Sequence, residues 1–416
     1  MTRYILIALC IFAAAAPAVT AQEIPIKIPK ETAEKRQEDR KENDCRRQHI
    51  PIPAFKTTPN SGETYGLLYA LLFLDENRKV KNLFAPSITY NEIFGLSTTL
   101  RLYKYPRKGE RYFFKLSKST KINEDVVAEY KNRSLFHGLY RVNLRGHYFE
   151  NASYRFYGIG PDTDEDDESD YTHREFMLRF FGGINLGKYC CISLTERLMN
   201  VQIKPGGLDA IPDTRSLYRN VTGIPGWWTY SHKIELCLDT RLKHDMSENG
   251  YYVNIGYEIA DRDFGGEVSF RKFTVQTKAI LNSFNGRLLS TPRILYQRVF
   301  GDDVPFYEQS MLGGSNLLRG FGKGRWYDRC LILFSLEERI RIMKMVLFNV
   351  KTDWQLTPFV EYGGVGSGFS RTGIDDFNFV YGLGFRAVIQ PNIVGRVDFA
   401  KSTEGLKIFV ELGYPF

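Results

Sequence analysis

Beyond its opening residues the chain lacks any run of the roughly 20 apolar residues that a membrane helix requires; the best later stretch, residues 65–74, is half that length. It also lacks paired cysteines. Cys10 falls in the opening apolar run, and Cys45, Cys190, Cys191, Cys237 and Cys330 form an odd set without CxxC spacing, which argues against a disulfide framework and a zinc site. The six histidines, His49, His137, His147, His173, His232 and His244, show no HExxH and no paired metal spacing, and no serine sits in a nucleophile elbow. The Gly-rich pieces "GIG" and "GGSN" do not lead into a helix, so they are turns rather than phosphate cradles. The expectation is a non-enzymatic chain with no metal and no cofactor, although a Ser–His pair assembled from separate strands leaves no mark in a sequence. The net charge of +8 is scattered; it suits contact with anionic head groups and gives no sign of a nucleic-acid surface.

What is present points to strands. Residues 1–21 read as a secretory signal, with Arg3, an apolar run over 5–16 and small residues at Val19 and Ala21. Residues 22–50 form a tail, nearly all charged from Glu31 to Arg47, with no apolar stripe to dock on a core. From residue 51 to 416 one grammar repeats: alternating or apolar runs separated by Gly, Asn, Asp and Pro. With 25 Tyr, 30 Phe and 36 Gly but a negative mean hydropathy, an all-β transmembrane antiparallel barrel with aromatic girdles fits. A soluble β-sandwich is the alternative. The alternation is plainest at the C-terminus, where Ile408, Val410, Leu412, Tyr414 and Phe416 make one apolar set, assigned here to lipid, with Glu411 between them.

Reading backwards, alternation aims Arg396 and Asp398, then Arg386, then Phe359 and Glu361, then Glu337, Arg339 and Arg341 into the lumen. At about 22 residues per strand and connection, about 16 strands are expected. If the last strand ends in the periplasm, parity puts residues 308–329, EQSMLGGSNLLRGFGKGRWYDR, outside. Should this loop fold into the barrel, Gly313, Gly314 and Gly320 would let backbones approach closely, and Arg319 would meet Glu337 or Glu361.

The run Leu312-Gly313-Gly314-Ser315-Asn316-Leu317-Leu318-Arg319-Gly320-Phe321, followed by Ser335-Leu336-Glu337-Glu338-Arg339, resembles the lumen-folded sixth loop and following strand of the BamA/TamA outer-membrane assembly family, the bacterial surface antigen barrels. TPFVEYGGVG (357–366), YGLGFR (381–386) and RVDFAKS (396–402) resemble that family's later strands. Two features depart from it. The tail is too short for one POTRA domain, and Glu361-Tyr362 stands where an Asp and a small residue are common. The resemblance implies a lock built from Leu318, Arg319, Gly320, Phe321, Glu337 and Glu361, with loop glycines Gly313 and Gly314. The C-terminal set Ile408 to Phe416 resembles the family's barrel signal.

The same resemblance implies an outer-membrane barrel acting in assembly, insertion or export of protein or lipid. Its partners would be outer-membrane lipid and lipopolysaccharide, client proteins, and a separate POTRA-bearing periplasmic protein or lipoproteins. Two rivals stay open: a stand-alone channel with a plugged lumen, and a structural barrel that binds partners or forms a homo-oligomer through its lipid-facing strands. The acidic run 162–170 lacks a calcium-loop pattern and reads as a solvated loop.

Overall fold

The computed structural model describes residues 47–76, 80–241, 247–347, 350–368, 377–389 and 393–416. The signal expected over 1–21 and the tail up to residue 46 lie outside these, as does Pro391-Asn392, whose residue types read as a tight turn. Nineteen strands form one antiparallel sheet: β1 (Arg47–Thr58), β2 (Gly62–Leu74), β3 (Val80–Phe84), β4 (Ser87–Asn91), β5 (Gly95–Lys104), β6 (Glu110–Ser119), β7 (Asn123–Leu135), β8 (Tyr140–Phe156), β9 (Ser169–Leu186), β10 (Cys190–Lys204), β11 (Trp228–Asp239), β12 (Gly250–Ala260), β13 (Phe270–Ser283), β14 (Leu288–Phe300), and, after a hairpin of β15 (Ser310–Leu312) and β16 (Trp326–Asp328), β17 (Cys330–Leu347), β18 (Val350–Gly366), β19 (Asn378–Ile389), β20 (Ile393–Ser402) and β21 (Gly405–Leu412). β3 and β4 are halves of one strand, both paired to β2 and β5 in a common register across Ala85-Pro86. Pairing of β1 with β21 closes an 18-stranded barrel.

The wall follows from alternation. On β9, Phe176, Leu178, Phe180 and Ile184 are exposed on the outer face, while His173, Glu175 and Arg179 alternate with them and turn inward. So wide an apolar exterior would aggregate in water and is what a lipid band needs. Exposed Tyr112, Tyr140, Tyr189 and Tyr251 ring the end that holds the termini, and Tyr65, Tyr90, Trp228, Phe264 and Phe379 ring the other, two interfacial girdles. Tight turns such as 136–139, 187–189 and 284–287 join strands at the termini end. The other end carries the long connections 157–168, 205–227 and 301–329. Short periplasmic turns and longer extracellular loops are the asymmetry of outer-membrane barrels, so the termini end is periplasmic.

The strand number, eighteen against about sixteen expected, matches roughly; the additional strands come from short periplasmic turns and from the proline-punctuated stretch before Gly62, itself a strand. The structure differs from the sequence expectation in three places. The barrel wall, expected from residue 51, already includes Arg47 at the edge of the described residues. Alternation in the sequence reads as one wall strand from Trp326 to Ile342, but that run is broken: Trp326–Asp328 pairs with Ser310–Leu312 inside the loop, and the wall strand begins at Cys330. Tyr414 and Phe416 do not continue the lipid face of Ile408 and Val410. Gly413 adopts φ +92, a conformation that side-chain-bearing residues disfavour, and the chain swings inward. Tyr414 lies under Arg339 at 3.7 Å and Phe416 is buried beside Arg293.

β1 explains why its prolines are tolerated. It pairs with β2 at all twelve positions, Pro51 and Pro53 included, but meets β21 at one position, Thr57 with Val410. Residues two apart offer their N–H groups to the same side. Because the ladder to β2 is unbroken, the donors that the two prolines lack are those of the edge facing β21. Hydrogen exchange should show this directly: amides of β21 that face β1 are expected to exchange at least about tenfold faster than those paired with β20, and equal protection on both sides would refute the weak seam.

Candidate functional site

The lumen-folded loop is built from residues 301–329, between β14 and β17. Gly313 and Gly314, both at φ +107, form its inner turn, with Gly313 N–H donating to Leu317 O at 2.8 Å and Gly314 N–H to Phe321 O at 3.1 Å. A side chain at Gly313 would collide with the Gly322 carbonyl. Leu318 takes a left-handed φ of +66, which costs a residue with a Cβ on the order of 1–3 kcal/mol. Its burial offsets this: Leu318 and Phe321 pack with Leu312, Trp326, Leu333, Phe359 and Val380 into an apolar core inside the barrel.

That turn delivers Arg319, fully buried, to the wall. Its backbone N–H and Nε donate to the two Glu361 carboxylate oxygens at 2.6 and 3.0 Å. Nη1 reaches Glu337 Oε2 at 2.9 Å and Asp398 Oδ2 at 3.5 Å. The guanidinium lies 3.5 Å over the Phe359 ring, adding a cation–π contact. Room for this comes from absent side chains: a Cβ at Gly382 would strike Phe359, and one at Gly384 would strike the Arg386–Asp398 pair. Gly320 passes so close to Ser402 and Val380 that a Cβ would sit 2.6 and 2.8 Å from them, and Ser402 Oγ donates to its carbonyl at 2.8 Å.

The cluster extends beyond the predicted pair. Arg386 bonds Glu337 at 3.1 Å and Asp398 at 2.6 Å, and Arg339 bonds Glu337 at 3.0 Å. Arg396 joins Asp398 at 3.4 Å and Glu411 at 2.8 Å, and donates to Ser315 O and Asn316 Oδ1 on the loop. Four guanidinium groups thus meet four carboxylates. Such balance is needed, because an unpaired charge in a dry interior costs several kcal/mol. Glu411 then meets Lys56 of β1 at 3.4 Å, so ion pairs run from the loop through β20 and β21 to the first strand.

The loop also grips the first strand's own turn. Asn60 accepts from Lys323 N–H and donates to Lys323 O, both at 2.8 Å, and Arg155 donates to Asn60 O at 3.2 Å. At its other end the loop is held by Glu308, buried and paired with Arg197 at 2.9 Å and Lys272 at 3.2 Å; Arg197 also holds Glu258 at 2.7 Å. Arg325 pairs with Glu404 and donates to Thr163 O at 2.8 Å.

The structure brings Leu318, Arg319, Gly320, Phe321, Glu337 and Glu361 together, with Arg319 on both acids rather than one. Sequence reasoning placed Arg386, Arg396 and Asp398 in the lumen without joining them to the lock, and missed Asn60 and the Glu308 cluster entirely. Strand parity carried a signal for Glu258, Arg197 and Lys272; none existed for which of them a loop residue 36 to 111 positions away would meet. Asp170, in the acidic run read as solvated, is buried and accepts from Leu208 N–H at 2.9 Å. No group of metal-ligating side chains occurs among the described residues.

A closed barrel with a lipid-facing exterior, a loop locked in its lumen and one thin strand pairing defines an outer-membrane β-barrel protein. The Omp85 superfamily domain matches residues 108–403, and the chain belongs to that family. Its fold is similar to that of BamA from Haemophilus ducreyi lacking POTRA domains 1–3, with TM-score 0.56 at 13% identity, covering 92% of this chain and 78% of that one. It is also similar to CdiB from Acinetobacter baumannii, with TM-score 0.50 at 10% identity, covering 88% of this chain and 59% of that one. None of the curated proteins matches it in sequence.

Replacing Arg319 by Ala leaves three buried carboxylates short of a partner. The expected loss is about 3–5 kcal/mol, read as a lower unfolding midpoint in detergent. Gln at position 361 should cost less, since Glu337 and Asp398 still hold Arg319, and an Arg319→Ala midpoint equal to wild type would show that the lock carries no stability.

Proposed function

We propose that the barrel acts without chemistry of its own in the assembly, insertion or export of outer-membrane protein or lipid, by opening between β1 and β21. The observation that carries this is the contrast between the two neighbours of β21: eight register positions with β20 and one with β1. An edge strand with free backbone groups is a template for an incoming strand, and β21 is such an edge along most of its length. The loop is the counterpart. It holds β20 through Ser402 and Arg396 and the β1–β2 turn through Asn60, so it staples the seam from inside while leaving the strands themselves barely paired.

On this reading the partners are unfolded client proteins at the seam, surrounding outer-membrane lipid and lipopolysaccharide, and a periplasmic POTRA-bearing protein or lipoprotein on the short turns. The channel reading rests on the same loop taken as a plug. Cysteines at Thr57 and Val410, directly opposed in the sheet, separate the two. Oxidation should abolish client assembly by proteoliposomes and reduction should restore it, with conductance unchanged throughout. Assembly that survives a quantitative cross-link would overturn the seam mechanism. The partner proposal is checked by a pull-down from native membrane in mild detergent, where a POTRA-bearing protein or lipoprotein should be recovered.

A further inference from the structure

The outer wall is not uniformly convex. A groove of about 690 Å³, almost wholly apolar, crosses β2 to β9 on the face where alternation puts the lipid-exposed side chains. Its size is that of a ligand pocket rather than of a surface dimple. The strand register explains it. Phe84, Leu102, Phe114, Ala128, Gly146 and Leu178 stand side by side in one row across six strand segments. Ala128 and Gly146 are neighbours in that row, so the wall drops between Phe114 on one side and Leu178 on the other.

The next row toward the periplasmic end has a different character. There Arg47, Phe73, Asn82, Lys104, Tyr112 and Tyr130 are successive partners. Arg47 lies 5.8 Å over the Phe73 ring. Lys104 is exposed and has no ion-pair partner among the described residues. The hydroxyls of Tyr112 and Tyr130 both turn to Glu110, at 3.4 Å each, which leaves Lys104, beside the neutral amide of Asn82, as the cation at the groove.

We infer that this groove is a specific site for one glycerophospholipid of the periplasmic leaflet, with an acyl chain in the notch over Ala128 and Gly146 and the phosphate at Lys104. Annular lipid needs only a smooth apolar wall. Here an apolar slot ends at a cation in the aromatic girdle, where the head groups lie, and that pairing selects an amphiphile with an anionic head and a long chain. Lipopolysaccharide would occupy the opposite leaflet, beside the long loops. The inference does not depend on the seam.

The test is native mass spectrometry of the full folded chain in detergent micelles with added palmitoyl-oleoyl phosphatidylglycerol. Wild type is expected to keep one lipid under activation that strips the rest. Ala128→Phe, which fills the notch, and Lys104→Glu, which reverses the rim charge, should each weaken retention about tenfold. Both substitutions sit on the lipid face, and heat-dependent gel mobility reports whether the barrel is folded. Equal lipid retention by all three folded proteins would overturn the site. So would a dimer in place of the lipid adduct that Ala128→Phe dissolves, since the groove would then belong to a second copy of the chain.

Discussion

Charge neutrality in the buried cluster around Arg319 is the constraint on which the rest of this barrel depends. Arg319 has no access to water, and it enters the wall only because Glu361, Glu337 and Asp398 wait there, the last two themselves held by Arg386, Arg339 and Arg396. Removing one member would strand its neighbours, so the cluster behaves as a unit rather than as separable pairs. The loop is therefore fixed in one position. Its apolar residues Leu318, Phe321 and Trp326 can then form a core inside a barrel whose wall alone could not provide one.

A loop so fixed can stand in for sheet hydrogen bonds at the place where the sheet is thinnest. β1 lacks two donors on its outer edge, and β21 meets it at one position. Closure is carried instead by side chains: Lys56 to Glu411 across the strands, and Asn60 and Ser402 to the loop on either side. A ladder of backbone bonds opens cooperatively and at high cost. At this seam, closure rests on a few side-chain contacts to a separate segment rather than on such a ladder.

Much of the wall was legible residue by residue. Alternation correctly turned Glu337, Phe359, Glu361, Arg386, Arg396 and Asp398 inward, because a strand has only two faces and lipid tolerates no charge on one of them. It failed where the backbone leaves the strand period. Gly413 redirected Tyr414 and Phe416, and the hairpin of Ser310–Leu312 with Trp326–Asp328 took three residues from what read as a wall strand. The prolines of β1 were read as punctuation because a sequence does not show which edge of a strand lacks a neighbour.

By itself, then, the sequence determined the period-2 wall, its lipid and lumen faces, and a glycine-flanked arginine that needs buried acids, since each of these follows from local geometry and from the cost of charge in an apolar medium. Only the tertiary structure decided that Arg319 takes both Glu337 and Glu361 and adds Asp398, that Glu308 and Asn60 anchor the same loop, and that β1 and β21 share one paired position. These are matters of contact between separate segments, from 18 residues apart for Arg319 and Glu337 to 263 for Asn60 and Lys323, and no local pattern sets the register of strands that closure of the barrel alone brings together.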